Sequence, residues 1–232
     1  VLAQPLPRYF DVLADYGDAD FHRLGGMLDW IANHRQSDLY PRQLPVSGLD
    51  SKWLDGRKGL LTDLVAAIQE DSSSELDFYQ RCGLKAPPLL VRMRVLDQAL
   101  RARVGGVGDI TAPVEDLAGL NLPVSHVFIV ENLQTGLAMS DMPGAVVFMR
   151  LGYNVDVLAR FPWLACAKCI YWGDLDTHGF AILHRARSYI PELPSVLMDE
   201  ATLLQHKTLW VDESAQHPAT ELTLLTEQVQ QL

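Results

Sequence analysis

Residues 170–179 read Ile170-Tyr171-Trp172-Gly173-Asp174-Leu175-Asp176-Thr177-His178-Gly179, an apolar run that leads into two alternate acids and then a glycine. Residues two apart in an extended strand point the same way, so Asp174 and Asp176 can aim both carboxylates at one point near the strand's end. A carboxylate pair of this kind favours binding of a divalent cation.

A second apolar run, Val127–Val130, ends in the same abrupt way at Glu131-Asn132. Parallel strands of an α/β sheet would bring the acids that follow both runs to one edge of the sheet. Hard cations prefer carboxylate oxygen, so the ligands would hold one or two Mg²⁺ or Mn²⁺ ions. The pattern therefore predicts a metal-dependent phosphoryl-transfer site formed by Glu131, Asp174 and Asp176.

Helix capping is the alternative explanation for the same acids, because carboxylates stabilise helix N-termini. Asp176 would then cap the helix that follows it, and Glu131 would cap another. Asp199 is a possible additional acid at a strand end, and capping of the turn at 201–205 explains it equally well. We favour the metal interpretation because acids follow a strand end twice.

His178 lies beside the acids, where it can contact a phosphate or donate a proton, or simply hold the helix start as a turn residue. Gly179 allows close approach to the helix N-terminus, which attracts phosphate. Gly152, which follows Arg150 after another strand, can serve the same purpose.

Composition limits how the chain can bind nucleic acid. With 232 residues and 48% hydrophobic content, it can bury one substantial core or two modest ones. The formal net charge of −10 opposes nonspecific adhesion to DNA, so binding needs local basic patches. Solvated helix faces explain most such charges. The candidate DNA contacts are Arg42, Lys52, Arg92, Arg94, His178 and Arg187.

Compartment and cofactor class follow from what the sequence lacks. No apolar stretch approaches the roughly 20 residues of a membrane helix, and no signal segment opens the chain, so we expect a cytoplasmic protein. Three cysteines do not suggest a disulfide framework or a zinc site. The start at Val1 suggests a segment of a longer protein.

Residues 1–108 are predicted to form a mostly helical, winged-helix-like DNA-binding region. Apolar spacing predicts a helix over Phe21–Asn33 capped by Asp20, and a second over Lys52–Gln69 capped by Asp50 or Ser51. A proline-containing connector separates them, and Leu89–Leu96 alternates like a strand.

Residues 120–232 are predicted to form an α/β domain, separated from the first by the glycines at 105–108 and the stretch Pro113–Pro123. Strand-like runs alternate with helical ones, which implies right-handed crossovers and a parallel sheet flanked by helices. The predicted strands are Val127–Val130, Ala145–Met149, Ala167–Trp172 and Ser195–Met198, and the predicted helices lie around Val155–Phe161 and Phe180–Tyr189.

The block Glu131-Asn132 followed by Tyr171-Trp-Gly-Asp-Leu-Asp-Thr-His-Gly-Phe180 resembles the Toprim module shared by topoisomerases, primases and several nucleases. It is more similar still to the nuclease subunit of Wadjet plasmid-defence systems, the JetD or MksG type. The segments that match are Arg42-Gln-Leu-Pro-Val-Ser-Gly-Leu-Asp-Ser-Lys-Trp53, Phe161-Pro-Trp-Leu164, Ala181-Ile-Leu183 and Leu197-Met-Asp199.

This resemblance implies a DNA-cleaving subunit that works with an SMC-like motor complex on circular plasmid DNA. It implies a Toprim catalytic domain preceded by a winged-helix-like domain, in an arrangement similar to the A subunit of topoisomerase VI. The family's metal site carries over to Glu131, Asp174 and Asp176. Family members continue beyond both ends of this chain, including past a final helix that begins at Leu222.

Three functions are consistent with these residues. The first is a Mg²⁺- or Mn²⁺-dependent endonuclease on double-stranded DNA, acting as a homodimer because a double-strand cut needs two sites. The second is a noncatalytic DNA-binding or assembly module of the same kind of complex. The third is a topoisomerase-like transesterase, although neither Tyr40 nor Tyr79 lies in a motif that matches the tyrosine used by those enzymes.

Overall fold

The computed structural model describes residues 5–71, 76–218 and 222–226. The chain divides into two compact units, Val1–Pro87 and Pro88–Leu232. The predicted boundary at 105–123 is therefore placed too late. The reason is that the strand preceding these glycines is paired within the sheet of the second unit.

All the regular secondary structure in the described residues of the first unit is helical. Its helices are α1 (Phe10–Ala14), α2 (Asp18–Asn33), α3 (Ser51–Asp55), α4 (Lys58–Gln69) and α5 (Phe78–Cys82), with 3₁₀ turns at Leu6–Tyr9 and Pro41–Gln43.

Helix α2 buries Leu24, Met27 and Ile31, three and four residues apart, while Phe21, which the apolar spacing placed on the buried face, is exposed. It begins at Asp18 rather than after Asp20, whose carboxylate instead accepts a hydrogen bond from Trp53 Nε1 at 2.5 Å. The helix predicted over Lys52–Gln69 is two helices, interrupted at 56–57. Asp50 caps α3 as expected, by accepting from the Trp53 backbone N–H at 2.8 Å.

The winged-helix-like interpretation relied on the strand-like run Leu89–Leu96 belonging to the first unit. Leu90–Val95 is indeed a strand, but it belongs to the second unit, and the described residues before Pro88 contain no strand. The first unit is thus a small helical domain with its own core.

The second unit combines five strands with short helices. In chain order these are β1 (Leu90–Val95), α6 (Gln98–Arg103), β2 (Asp109–Pro113), α7 (Val114–Gly119), β3 (His126–Val130), α8 (Leu133–Ala138), β4 (Ala145–Met149), β5 (Lys168–Trp172), α9 (Thr177–Arg187) and α10 (Glu200–Gln205), with 3₁₀ segments at Gly152–Arg160, Pro162–Cys166 and Lys207–Leu209.

The sheet has the strand order β2-β1-β4-β3-β5 and is mixed rather than wholly parallel. Strand β3 pairs in parallel with β4 and β5, as predicted, with Val130 opposite both Met149 and Trp172. Strand β1 pairs antiparallel with both β4 and β2. The carboxyl ends of β4, β3 and β5 therefore lie side by side at one edge.

Strand β4 is buried on both faces, which explains its uninterrupted apolar sequence. Val146 and Phe148 face the larger core, which the 3₁₀ segments and α9 complete. Val147 and Met149 face a smaller cluster with Val130.

Three further predictions differ from the structure. The helix predicted around Val155–Phe161 is a 3₁₀ segment, and Ser195–Met198 forms only a single bridge, from Ser195 to Tyr171. The part of the chain at 222–226 contains a turn, while the rest of the helix predicted from Leu222 lies outside the described residues. Within the described residues we find no helix with the length and apolarity needed to traverse a lipid bilayer.

Candidate functional site

Glu131 lies where β3 ends, next to β5. Its backbone N–H donates to the Trp172 carbonyl at 3.1 Å, which extends the parallel pairing by one residue. Asn132, not Glu131, caps α8, by accepting from the backbone N–H groups of Gln134 and Thr135. The capping alternative is therefore wrong for Glu131, and its carboxylate is left to face the loop after β5.

The loop after β5 wraps around the Glu131 carboxylate. Glu131 Oε2 accepts from the Tyr171 hydroxyl and from the Asp174 backbone N–H, both at 3.3 Å. A Cβ on Gly173 would lie 2.7 Å from the Tyr171 hydroxyl oxygen and 2.9 Å from Glu131 Oε2, so any larger residue would displace this pair. A Cβ on Gly179 would lie 2.2 Å from the Asp174 carbonyl oxygen.

Asp176 caps α9, as the alternative explanation predicted. Its Oδ1 accepts from the Gly179 backbone N–H at 2.7 Å. Asp174, in contrast, has an exposed side chain that makes no capping contact. Asp199 likewise caps α10, by accepting from the Thr202 backbone N–H at 2.8 Å.

The electrostatics of these acids are coupled. Burial raises the pKa of the Glu131 carboxyl, and the negative charges of Asp174 and Asp176 raise it further, against the hydrogen bond from the Asp174 N–H. Although its side chain is largely exposed, partial burial also raises the pKa of Asp174, and the charge of Asp176 adds to this. The three residues are thus close enough to repel one another.

The donor set suits Mg²⁺ or Mn²⁺ chemically, since it offers hard carboxylate oxygens whose mutual repulsion a cation would relieve. The geometry supports a metal site less fully than the chemistry of these donors does. Within residues 5–71, 76–218 and 222–226, no three His, Cys, Asp or Glu side chains are grouped to hold one ion. The predicted residues therefore meet at one edge without forming a finished ligand set.

His178 belongs to a second cluster next to the acids. The Tyr153 hydroxyl lies 2.6 Å from His178 Nδ1, and His178 Nε2 lies 3.0 Å from the Ala215 carbonyl oxygen. Glu213 accepts from the Thr177 N–H at 3.2 Å and from the Thr177 hydroxyl at 2.8 Å. Burial, followed by the charges of Glu131, Asp176 and Glu213, raises the pKa of Tyr153.

Besides His178, three of the six predicted DNA contacts make bonds within the second unit. Arg92 forms a two-point ion pair with Asp109, at 2.9 and 2.6 Å. Arg94 donates to three carbonyl oxygens at the end of α8. Arg187 donates to the carbonyl oxygens of Leu193 and Leu224, and burial lowers its pKa.

Arg42 and Lys52 are exposed in the first unit. Arg42 Nε donates to the Ser51 hydroxyl at 3.0 Å.

Sequence reasoning missed four residues around this edge: Tyr153, Tyr171, Glu213 and Arg150. Arg150 follows β4 just as Glu131 follows β3, so the strand-end pattern could have found it. Glu213 lies in an irregular segment, where no periodicity marks it.

Comparison with protein families decides which group the chain falls into. A model described as the C-terminal part of the Wadjet protein JetD matches residues 83–232, well over half of the sequence. The chain belongs to the Wadjet JetD family. A second model, described as the N-terminal part of an uncharacterized protein conserved in bacteria (DUF3322), matches residues 2–66.

The JetD match covers the whole sheet and every acid of the candidate site, and it confirms the Wadjet resemblance. Membership implies a role in a Wadjet plasmid-defence complex, together with other Wadjet subunits. No curated protein matches the JetD chain described here.

Proposed function

We propose that this JetD chain is a Toprim-type, metal-dependent DNA endonuclease subunit, which hydrolyses phosphodiester bonds of circular plasmid DNA within a Wadjet complex. One observation carries the proposal. Glu131 and the Asp174–Asp176 pair follow the ends of two adjacent parallel strands, and their charges interact. Ligand sites of open α/β sheets form at such carboxyl edges.

Glu131, Asp174 and Asp176 would hold Mg²⁺ or Mn²⁺. A divalent cation bound there would polarise the scissile phosphate and lower the pKa of an attacking water. The chain's own contribution is positioning. Tyr171 and the Asp174 N–H hold the Glu131 carboxylate, and the hydrogen bond between Tyr153 and His178 holds a proton beside the acids.

The partners follow from the same proposal. The substrate is double-stranded plasmid DNA, delivered by the SMC-like motor subunits of the Wadjet complex. A double-strand cut requires two such sites, which a homodimer supplies. Arg42 and Lys52 remain proposed DNA contacts on the first unit, whose side chains are exposed.

Plasmid cleavage tests the proposal directly. Supercoiled plasmid would be incubated with the protein and its Wadjet partner subunits, in Mg²⁺ or Mn²⁺ and in EDTA. We expect linear product only with metal, and at least about a 100-fold loss of rate in Glu131→Gln and Asp174→Asn. Asp212→Asn, an exposed acid in the same unit, is the matched control. Cleavage by both variants at the control rate would refute the assignment.

A noncatalytic DNA-binding or assembly module is the second candidate. It is favoured by Asp176, whose carboxylate caps a helix, and by the absence of a grouped three-residue ligand set in the described part of the chain. Calorimetry with Mn²⁺ separates the two functions. If the wild-type chain releases no more heat than an Asp174→Ala, Asp176→Ala double variant, the noncatalytic function is correct.

A further inference from the structure

A cavity of about 300 Å³ lies in the second unit, where the chain leaves β4. Its polar lining consists of Arg92, Thr111, Arg150 and Asn154. Arg92 is already paired with Asp109. The side chains of the other three have no hydrogen-bond or ion-pair partner among the residues the structure describes, so their donors are available to a ligand.

Arg150 lies at the same edge of the sheet as the acidic residues. Its backbone N–H donates to the Val130 carbonyl at 3.1 Å, and Glu131, the next residue, donates to Trp172 at 3.1 Å. The carboxyl ends of three neighbouring parallel strands are thus marked by Arg150, Glu131 and Trp172. Adjacent strands lie about 4.8 Å apart, which places Arg150 one strand from Glu131.

Despite this position, Arg150 does not neutralise the acids. The hydrogen bonds to Glu131 come from Tyr171 and Asp174, and no ion pair joins Arg150 to an acid in the described part of the chain. A guanidinium that ends the strand next to Glu131, lines the cavity and is not bonded to any of the acids remains free to bind an external anion. Its planar fork matches phosphate oxygens.

The backbone at Arg150 is consistent with the same ligand. Arg150 has φ +58° and Gly152 has φ +52°, while Leu151 between them is right-handed. Alternating left- and right-handed residues turn successive N–H groups to one side, which forms an anion-binding concavity. The Arg150 N–H is used in the pairing with Val130, so the N–H groups of Leu151 and Gly152 would line this concavity. The left-handed region is unfavourable for arginine, and glycine would occupy it without strain.

We propose that this cavity binds a phosphate group of the DNA strand next to the acidic edge, with Arg150 as the cationic contact and Thr111 and Asn154 as neutral donors. The proposal rests on the proposed function, because it names how the substrate backbone is held beside the acids. It adds a contact that charge clustering along the sequence did not identify.

Metal-free DNA binding tests this contact without any cleavage. Fluorescence anisotropy of a labelled duplex would be measured in EDTA over a series of salt concentrations. We expect Arg150→Gly to weaken binding about tenfold and to reduce the slope of log affinity against log salt by about 0.9, the value for one phosphate contact. Arg150→Lys should keep the slope, because it keeps the charge.

The matched control is Arg103→Ala, which removes an exposed arginine at the end of α6 in the same unit. We expect binding within about twofold of wild type. Arg150→Gly suits the local backbone, and Arg150→Met provides a second charge-removing variant should the glycine unfold the chain. Unchanged affinity and slope in the folded variant, an equal loss in the control, or no duplex binding by the wild-type chain would overturn the proposal. EDTA keeps these outcomes independent of whether the protein cuts DNA.

Discussion

Asp176 shows how one side chain can satisfy two explanations of the same pattern. One of its oxygens caps α9, which is the structural role that short polar residues before a helix commonly play. Its charge also raises the pKa values of Glu131 and Asp174, which is what the metal hypothesis requires. The cap and the charge can be separated by mutation, because asparagine caps as well as aspartate does.

We predict that Asp176→Ala lowers the free energy of unfolding by about 1 kcal/mol, through loss of the cap. Asp176→Asn keeps the cap and relieves the repulsion by Glu131 and Asp174, so without metal it should be at least as stable as wild type and yet lose plasmid cleavage. Urea unfolding and cleavage would be measured on both variants. Asp199→Asn, at the matching cap of α10, should change neither property. Full cleavage by Asp176→Asn would show that Asp176 is only a cap.

The environment of Glu131 predicts how the stability of the protein depends on pH. Its pKa is raised in the folded chain, so its contribution to stability is complete below the unfolded pKa and is lost as the pH rises through the folded pKa. Without metal, Glu131→Gln should therefore stabilise the protein at pH 7, because it removes a buried charge that the neighbouring acids repel. The gain should vanish near pH 4, where the wild-type carboxyl is protonated.

Thermal unfolding of wild type and Glu131→Gln at several pH values measures this difference. Glu200→Gln, the same chemical change at the exposed first turn of α10, is the control and should show no such gain at pH 7. A variant less stable than wild type at pH 7 would mean that the hydrogen bonds to Glu131 outweigh its burial and the neighbouring charges.

At the scale of secondary structure, strand ends were the most predictable feature. Val127–Val130 is short, apolar and followed by polar residues, so a buried parallel strand and its carboxyl end could be inferred from sequence. The partner of β1 could not be inferred. Alternation along Leu90–Val95 identifies a strand, but nothing local says that it pairs antiparallel with β4, fifty residues later.

The turn between β5 and α9 depends on a close approach of its backbone. Gly179→Ala would place Cβ against the Asp174 carbonyl oxygen, so residues 173–176 would have to shift. We predict a loss of about 1–3 kcal/mol in unfolding free energy, together with loss of cleavage, measured by urea unfolding and plasmid assays. Gly119→Ala, at the end of α7, meets nothing within 4 Å and should be neutral or slightly stabilising. Equal behaviour of the two variants would contradict the packing argument.

For the whole molecule, the boundary between Pro87 and Pro88 decides which fragments can fold. A fragment that starts at Pro88 keeps all five strands, so we expect a cooperative thermal transition by circular dichroism. A fragment that starts at residue 120, the predicted domain start, loses β1 and β2 and uncovers the edge of the buried strand β4. We expect it to aggregate. A soluble, cooperatively folding fragment 120–232 would show that β1 is dispensable.

The charged residues also illustrate how far sequence reasoning reaches across the whole chain. Clustering identified Arg92, Arg94 and Arg187, whose side chains bond to partners in the second unit. It passed over Arg150, which is isolated in sequence. Whether an arginine already has a partner depends on residues tens of positions away, such as Asp109 for Arg92, and local composition does not report this.

Glu213 has a consequence for any ligand that approaches the start of α9. Both donors of Thr177 are already bonded to this glutamate, which comes from a segment some 36 positions further along the chain. An anion that binds at this helix end must compete with the carboxylate of Glu213, which carries the same charge. The affinity for an anion at the start of α9 therefore depends on how easily Glu213 dissociates from Thr177, as well as on the attraction of the helix N-terminus.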